Sequence, residues 1–188
     1  MLQNKTMKVI GERVSVLKKD DLLSIVILPK QDKRKLLLMF LWLVAWTVCG
    51  LIVFANYFKV IDQNSKLFII IYLSFWAYFE YKIVRAFVWR RSGKEKLWIS
   101  EGKVHYKQDI NGRGKTQEFD FSLIQDLQLI PVEEGSFSSV INSSFWIKGD
   151  ERIVFTCQHR IIRFGMQLTD KEAKGIIYEI TNFILKEN

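Results

Sequence analysis

Glu80 is the residue whose type and position most call for chemistry. It stands where an apolar stretch, Leu67 to Phe79, runs on as EYKIVRAFVW to Trp89. A carboxylate inside hydrocarbon is costly and is by default a suspect for proton or ion chemistry. Counting helical rise from Lys66 places Glu80 about 21 Å into a bilayer and roughly 9 Å from its far boundary. Two helices enclose no pathway, so a transport role would need a larger assembly. The plainer reading pairs Glu80 with Arg34 or Lys35 across a helical hairpin, or has it snorkel to the inner boundary.

The remaining reactive types form weaker constellations. Cys157 and His159 could be a nucleophile and its base, but residues two apart on one strand lie side by side without meeting, and no acidic third partner accompanies them. His105 alternates with Val104 and Tyr106 in a strand pattern and is expected to face solvent. Gly112-Arg113-Gly114-Lys115-Thr116 echoes the end of a phosphate-binding loop. The full motif needs glycine at position 109, where Asp109 stands, and no helix follows to receive a phosphate, so the segment reads as a turn. Cys49 and Cys157 have no metal-ligand or CxxC spacing. These residues give no catalytic, cofactor-binding or metal site, so the chain is not expected to be an enzyme, to carry a cofactor or to take a small-molecule substrate.

The elements that position these residues are set by apolar runs. The 188 residues are 49% hydrophobic and 14% aromatic with only 26% charged, which excludes a disordered tail and a disulfide scaffold. Leu36 to Ala55 is twenty residues without a charge, about 30 Å of helix, the thickness of a bilayer's hydrocarbon core. With the second stretch and the short polar link KVIDQNSK, the pattern predicts a two-helix transmembrane hairpin within residues 35–90, its helices at 35–58 and 66–89.

Charge supplies the orientation. Residues 30–35 and 82–96 hold Lys30, Lys33, Arg34, Lys35, Lys82, Arg85, Arg90, Arg91, Lys94 and Lys96 against Asp32 and Glu95, and so account for the whole net charge of +8. Basicity confined to the flanks of apolar helices is a topology signal and not a nucleic-acid footprint. It places both termini in the cytoplasm and the protein in the plasma (inner) membrane. Lys33, Arg34, Lys35, Arg90 and Arg91 are the candidate contacts to an anionic surface. The N-terminus has no apolar h-region before residue 22 and is no cleavable signal.

After Lys96 the pattern shifts to short segments with turn punctuation. LWIS and KVHYKQDI are split by Glu101-Gly102, and Asn111-Gly112 ends the second. TQEFDFS, LIQDLQLI, SFWIKG, RIVFTCQH and RIIRFGMQL follow as strands. Thr169 and Glu172 then form a capping box before an amphipathic helix carrying Ala173, Ile176, Ile177, Ile180, Phe183 and Ile184. The expected class is an α-helical membrane hairpin plus an α+β domain at 94–188, a bent antiparallel sheet or barrel closed by one C-terminal helix. Residues 1–34 form an N-terminal β segment, two short strands around a KKDD turn, of which Leu22–Leu28 is expected to pair with the edge of that sheet.

The helical pair followed by LWIS, with Arg163, Phe164, Gly165, Leu168, Thr169, Glu172 and Ala173 leading into the last helix, resembles the bacterial membrane-anchored proteins with pleckstrin-homology-like (PH-like) domains. The likeness covers roughly residues 22–186. It implies architecture and no chemistry.

Two functions are compatible with this reading. The first is a membrane-tethered, non-catalytic interaction module, an accessory or assembly subunit whose partners are the bilayer and another membrane protein or complex. Its candidate interface is Tyr72, Phe75, Trp76, Phe79 and Glu80, with the loop at 131–144 as a further contact, and Ala45, Cys49 and Gly50 are small enough to admit a close neighbour. The second is recognition of anionic lipid by the PH-like domain. Lys103, Lys107, Arg113 and Lys115 would serve it, but Glu101 and Asp109 interrupt them, and residues 89–188 hold 15 bases against 14 acids.

Overall fold

The computed structural model describes residues 6–131 and 150–187. The chain forms two compact units. One is built from residues 6–30, 92–131 and 150–187, the other from residues 31–91.

The first unit is α+β. A six-stranded antiparallel sheet runs in sequence order: β1 (Thr6–Ile10), β2 (Val14–Lys19), β3 (Leu22–Ile27), β4 (Gly93–Ser100), β5 (Lys103–Ile110) and β6 (Thr116–Asp120). A short 3-10 turn, Phe121–Leu123, leads to a three-stranded sheet of β7 (Ile124–Leu129), β8 (Glu151–Cys157) and β9 (Arg160–Met166). Alternation writes the registry. Leu97 and Ile99 on β4 face inward opposite Tyr106 and Val104 on β5, while Trp98 faces outward opposite His105. The reversals after β4 and β5 use Glu101-Gly102 and Asn111-Gly112, all four at positive φ, as two-residue hairpins require.

The helix Asp170–Glu187, the third among the described residues, is called α3. Both halves of its capping box form: the Thr169 N–H donates to Glu172 Oε2 at 2.9 Å, and the Glu172 N–H donates to Thr169 Oγ1 at 3.3 Å. Its stripe of Ala173, Ile176, Ile180 and Phe183 is buried in one core with Val14, Leu23, Ile25, Ile99, Ile153, Phe155 and Phe164, which draws on both sheets. Each large side chain so buried contributes about 1.5–3 kcal/mol.

β3 pairs with β4 from Leu22↔Ser100 to Ile27↔Glu95, so the N-terminal strands belong to the sheet itself. The sequence pattern predicts two strands here; the structure has three, because Thr6–Ile10 also pairs, Thr6↔Lys18 through Ile10↔Val14. β1 escapes a pattern search because Met7 and Val9, its outward residues, are as apolar as Ile10 on its inward side. The expected strand SFWIKG and the loop at 131–144 lie outside the described residues, apart from Pro131.

The second unit is two helices, α1 (Lys33–Tyr57) and α2 (Gln63–Ser92), the last residue of α2 opening the β4 side of the first unit. At about 1.5 Å per residue they are some 37 and 45 Å long, and each is long and apolar enough to cross a membrane. Asp32 caps α1, its Oδ1 accepting from the N–H groups of Arg34 and Lys35 at 3.0 and 3.2 Å. Most of the exposed large apolar side chains of the protein lie between Leu37 and Val84.

One topological fact ties the two units covalently. β3 and β4 are neighbours in the sheet, so residues 28–92 are an insertion into what would otherwise be a simple β-hairpin. The chain leaves the sheet after Ile27 and returns at Gly93, and both points lie at the same end of the strands.

Candidate functional site

The α1–α2 contact is built from a repeat that hydropathy hides. On α1 the less exposed residues include Met39, Leu43, Trp46, Gly50, Val53 and Tyr57; on α2 they include Ile69, Leu73, Trp76, Glu80, Ile83 and Phe87. Both series step by four and three, the heptad seam of left-handed helix packing. The contacts run antiparallel: Phe40 meets Phe87 with ring centroids 6.0 Å apart, Thr47 meets Glu80, and Gly50 meets Trp76.

Gly50 and Trp76 set the approach. A Cβ at position 50 would overlap the Trp76 indole, so only glycine lets the ring lie against the α1 backbone. Seated there, Trp76 Nε1 donates to the Trp46 carbonyl at 3.1 Å. One turn further, Thr47 Oγ1 lies 2.7 Å from Glu80 Oε1 and 2.8 Å from the Leu43 carbonyl. The partner of Glu80 is therefore Thr47 and not Arg34 or Lys35, because the heptad seam brings residue 47 level with residue 80. Glu80 Oε2 is buried with no hydrogen-bond partner.

The aromatic stripe expected to act as one interface divides. Trp76 and Glu80 turn into the α1 seam, while Phe75 and Phe79 are 65% and 51% exposed outside it, as are Phe68 and Tyr78. Tyr72 is half-buried between the two faces. Of the small residues on α1, Gly50 packs against α2, whereas Ala45 and Cys49 are exposed. In the basic clusters Lys33, Arg34, Lys35 and Arg91 are exposed, but Arg90 is 4% exposed and so withdrawn from the surface they present. It continues the stripe of Ile83 and Phe87 by one more step of three.

The core of the α+β unit contains a carboxylate that sequence reading passed over. Glu95 faces inward from β4 and accepts from the N–H groups of Gly165 and Met166 on β9, at 2.8 and 2.9 Å, and from the Tyr106 hydroxyl at 3.0 Å. Gln108 Nε2 donates to the same hydroxyl at 2.9 Å. Burial pushes the Glu95 carboxyl above its ordinary value, against the opposing pull of the Met166, Gly165 and Tyr106 donors, and burial together with Glu95 raises Tyr106. The chemistry is that of a bolt between the two sheets: three donors are satisfied by one side chain. The signal was Glu95 at an inward position of an alternating strand, masked by the lysines at 94 and 96.

No family model matches the chain, and neither does any curated protein or solved structure.

The other candidates resolve locally. Cys157 is buried at the end of β8, and the next two residues, Gln158 and His159, form the β8–β9 turn at positive φ, so the pair does not lie on one strand face. His105 is half-buried, its ring stacked on Trp98 at 5.1 Å, instead of standing free in solvent. Asn111 to Lys115 is the β5–β6 turn. A Cβ at Gly114 would overlap the Gln108 carbonyl, and the carbonyl of Gly112 accepts from Lys107 Nζ at 3.2 Å. Beside it Lys96 holds Asp109 in an ion pair at 2.6 Å, and with Lys107 and Lys94 keeps that carboxyl below its usual range. Among the described residues no group of His, Cys, Asp and Glu is arranged to hold a metal.

Proposed function

We propose that this protein is a membrane-tethered interaction module, non-catalytic, acting as an accessory or assembly subunit of a larger membrane complex. The observation that carries the reading is the insertion of α1 and α2 between the paired strands β3 and β4. A helical pair inserted between paired strands is joined to the β unit by the chain at both of its ends, so the unit is tethered twice for as long as the pair spans the bilayer. Pairing of β3 with β4 has the chain leave and return at one end of the sheet, which supports two crossings as a transmembrane hairpin with both termini on one side. The basic flanks support the cytoplasm as that side. Two antiparallel sheets with a C-terminal helix packed into their common core support the PH-like reading, with the departure that the first sheet has six strands.

The surface offered to a partner within the bilayer is the outer face of α2, Phe68, Phe75, Tyr78 and Phe79. Without a hydrophobic gradient between lipid and protein, such a face associates through close packing. The test is purification of the tagged full chain in a gentle detergent beside Phe75→Ala/Phe79→Ala. A stoichiometric membrane protein that accompanies the parent and is lost from the double variant is the expected outcome. A chain that runs alone, or whose companions ignore the substitution, would remove this reading.

A further inference from the structure

The six-stranded sheet is electrically polarised along its strands. At the end where the chain enters α1 and leaves α2 lie Lys30, Lys94, Lys107, Arg113 and Lys115, against the acid Glu12 in the β1–β2 turn. The other charges there are committed: Arg13 Nη2 bonds the Gln167 carbonyl and Glu172, Lys96 holds Asp109, and Glu95 is buried under its three donors. At the opposite end the turns carry Asp20, Asp21 and Glu101, and β6 ends at Asp120, with Lys18 over the Phe183 ring, Lys19, and Lys103 bonded to Glu118. The near-neutral total for residues 89–188 conceals this separation.

Connectivity says what the basic end meets. Gly93 follows Ser92 with no linker, and Gly93 pairs with Ile110, three residues before Arg113. Arg113 and Lys115 are exposed at the tip of a turn whose shape is fixed by hydrogen bonds both ways between Ile110 and Arg113, at 2.8 and 2.9 Å. We propose that the turn Asn111–Lys115, with Lys94 and Lys30, rests on the anionic headgroups of the chain's own bilayer. The contact is diffuse and electrostatic, with no pocket for one headgroup, and it holds the sheet with its basic end to the membrane and its acidic end to solvent. A juxtamembrane base gains about fivefold in occupancy from an anionic surface, and the gain falls off within a Debye length.

The inference rests on the membrane-spanning reading, and one experiment separates the two. The full chain is placed in nanodiscs of phosphatidylcholine alone or with phosphatidylglycerol, and amide hydrogen exchange is followed. Exchange in residues 111–115 should slow about fivefold in the anionic discs, return to the neutral-disc rate in high salt, and show no slowing in Arg113→Glu/Lys115→Glu. The turn at Asp20–Asp21 should exchange alike in both. Equal rates at 111–115 in the two lipids, or the same slowing at Asp20–Asp21, would overturn the contact. Alkaline carbonate extraction of the same chain from liposomes tests the other half: a chain that washes off was never spanning, and both readings fall with it.

Discussion

Two glutamates fifteen residues apart show how differently the two units treat a carboxylate. Glu95 is enclosed by the α+β core and meets three donors on two other strands, β5 and β9. Glu80 lies along two apolar helices and meets one hydroxyl, its second oxygen buried without a partner. A saturated carboxylate is committed to the structure and has no valence left for anything else. An unsaturated one costs stability where it stands and keeps an oxygen open to a further donor.

The largest effect should come from breaking the saturated site. Glu95→Leu leaves the Gly165 and Met166 N–H groups and the Tyr106 hydroxyl without an acceptor in the core, at about 1–3 kcal/mol each and about 3–5 kcal/mol together after relaxation. Calorimetry of the detergent-solubilised chain should show the α+β transition lowered by many degrees. Glu95→Gln, which keeps an acceptor oxygen, should lose clearly less. A leucine variant as stable as the parent would show that the bolt between β4 and β9 does not hold the sheets.

Next in size is the seam of the helical pair. Gly50→Leu drives a side chain into the Trp76 ring, and overpacking of this kind costs about 1–3 kcal/mol. Cysteines at positions 40 and 87, where the rings of Phe40 and Phe87 now meet, joined by a short bismaleimide, report the separation directly: the cross-linking yield should fall in the Gly50→Leu background and stay high in Ala45→Leu, whose position is exposed.

These two effects mark what the sequence could and could not disclose. The helices of the apolar unit were plain from twenty uncharged residues, yet their facing surfaces were not: when Leu36 to Ala55 is apolar all round, hydropathy carries no phase. The seam had to be found from glycine and threonine among larger side chains. In the α+β unit the reverse holds. Alternation gave Leu97, Ile99, Val104 and Tyr106 their inward faces, and Thr169 with Glu172 announced the start of α3. Glu95 stayed hidden because its three partners come from positions 106, 165 and 166, and no local pattern foretells a contact seventy residues away.

The α3 cap should give an intermediate effect with a definite pH sign. Burial raises the Glu172 carboxyl, but the Thr169 N–H and hydroxyl and the Arg13 guanidinium outweigh it and hold the group below its ordinary value. A carboxyl depressed in the folded state adds stability above the unfolded value, and this contribution is lost as pH falls through the folded one. Glu172→Ala should therefore cost about 1–2 kcal/mol near neutral pH, and the difference between variant and parent should shrink in acid. A difference that is constant from pH 7 to pH 3 would show that the side chain acts through packing alone.

The smallest expected effect decides what Glu80 is for. A hydroxyl with one hydrogen serves one acceptor at a time, and Thr47 has two within reach, the Leu43 carbonyl and Glu80. Its bond to Glu80 is thus shared, and Thr47→Val should cost the helical pair about 0.6 kcal/mol, the average for hydrogen bonds between membrane helices. Glutamine still accepts from Thr47, so Glu80→Gln should leave the 40–87 cross-linking yield unchanged. If the unpartnered oxygen is completed by another subunit, the same substitution will shed the co-purifying protein while the seam stays closed. A loss of association without loss of packing is a result that a purely structural glutamate does not produce. An intact assembly would return Glu80 to the helix pair as a fastening and nothing more.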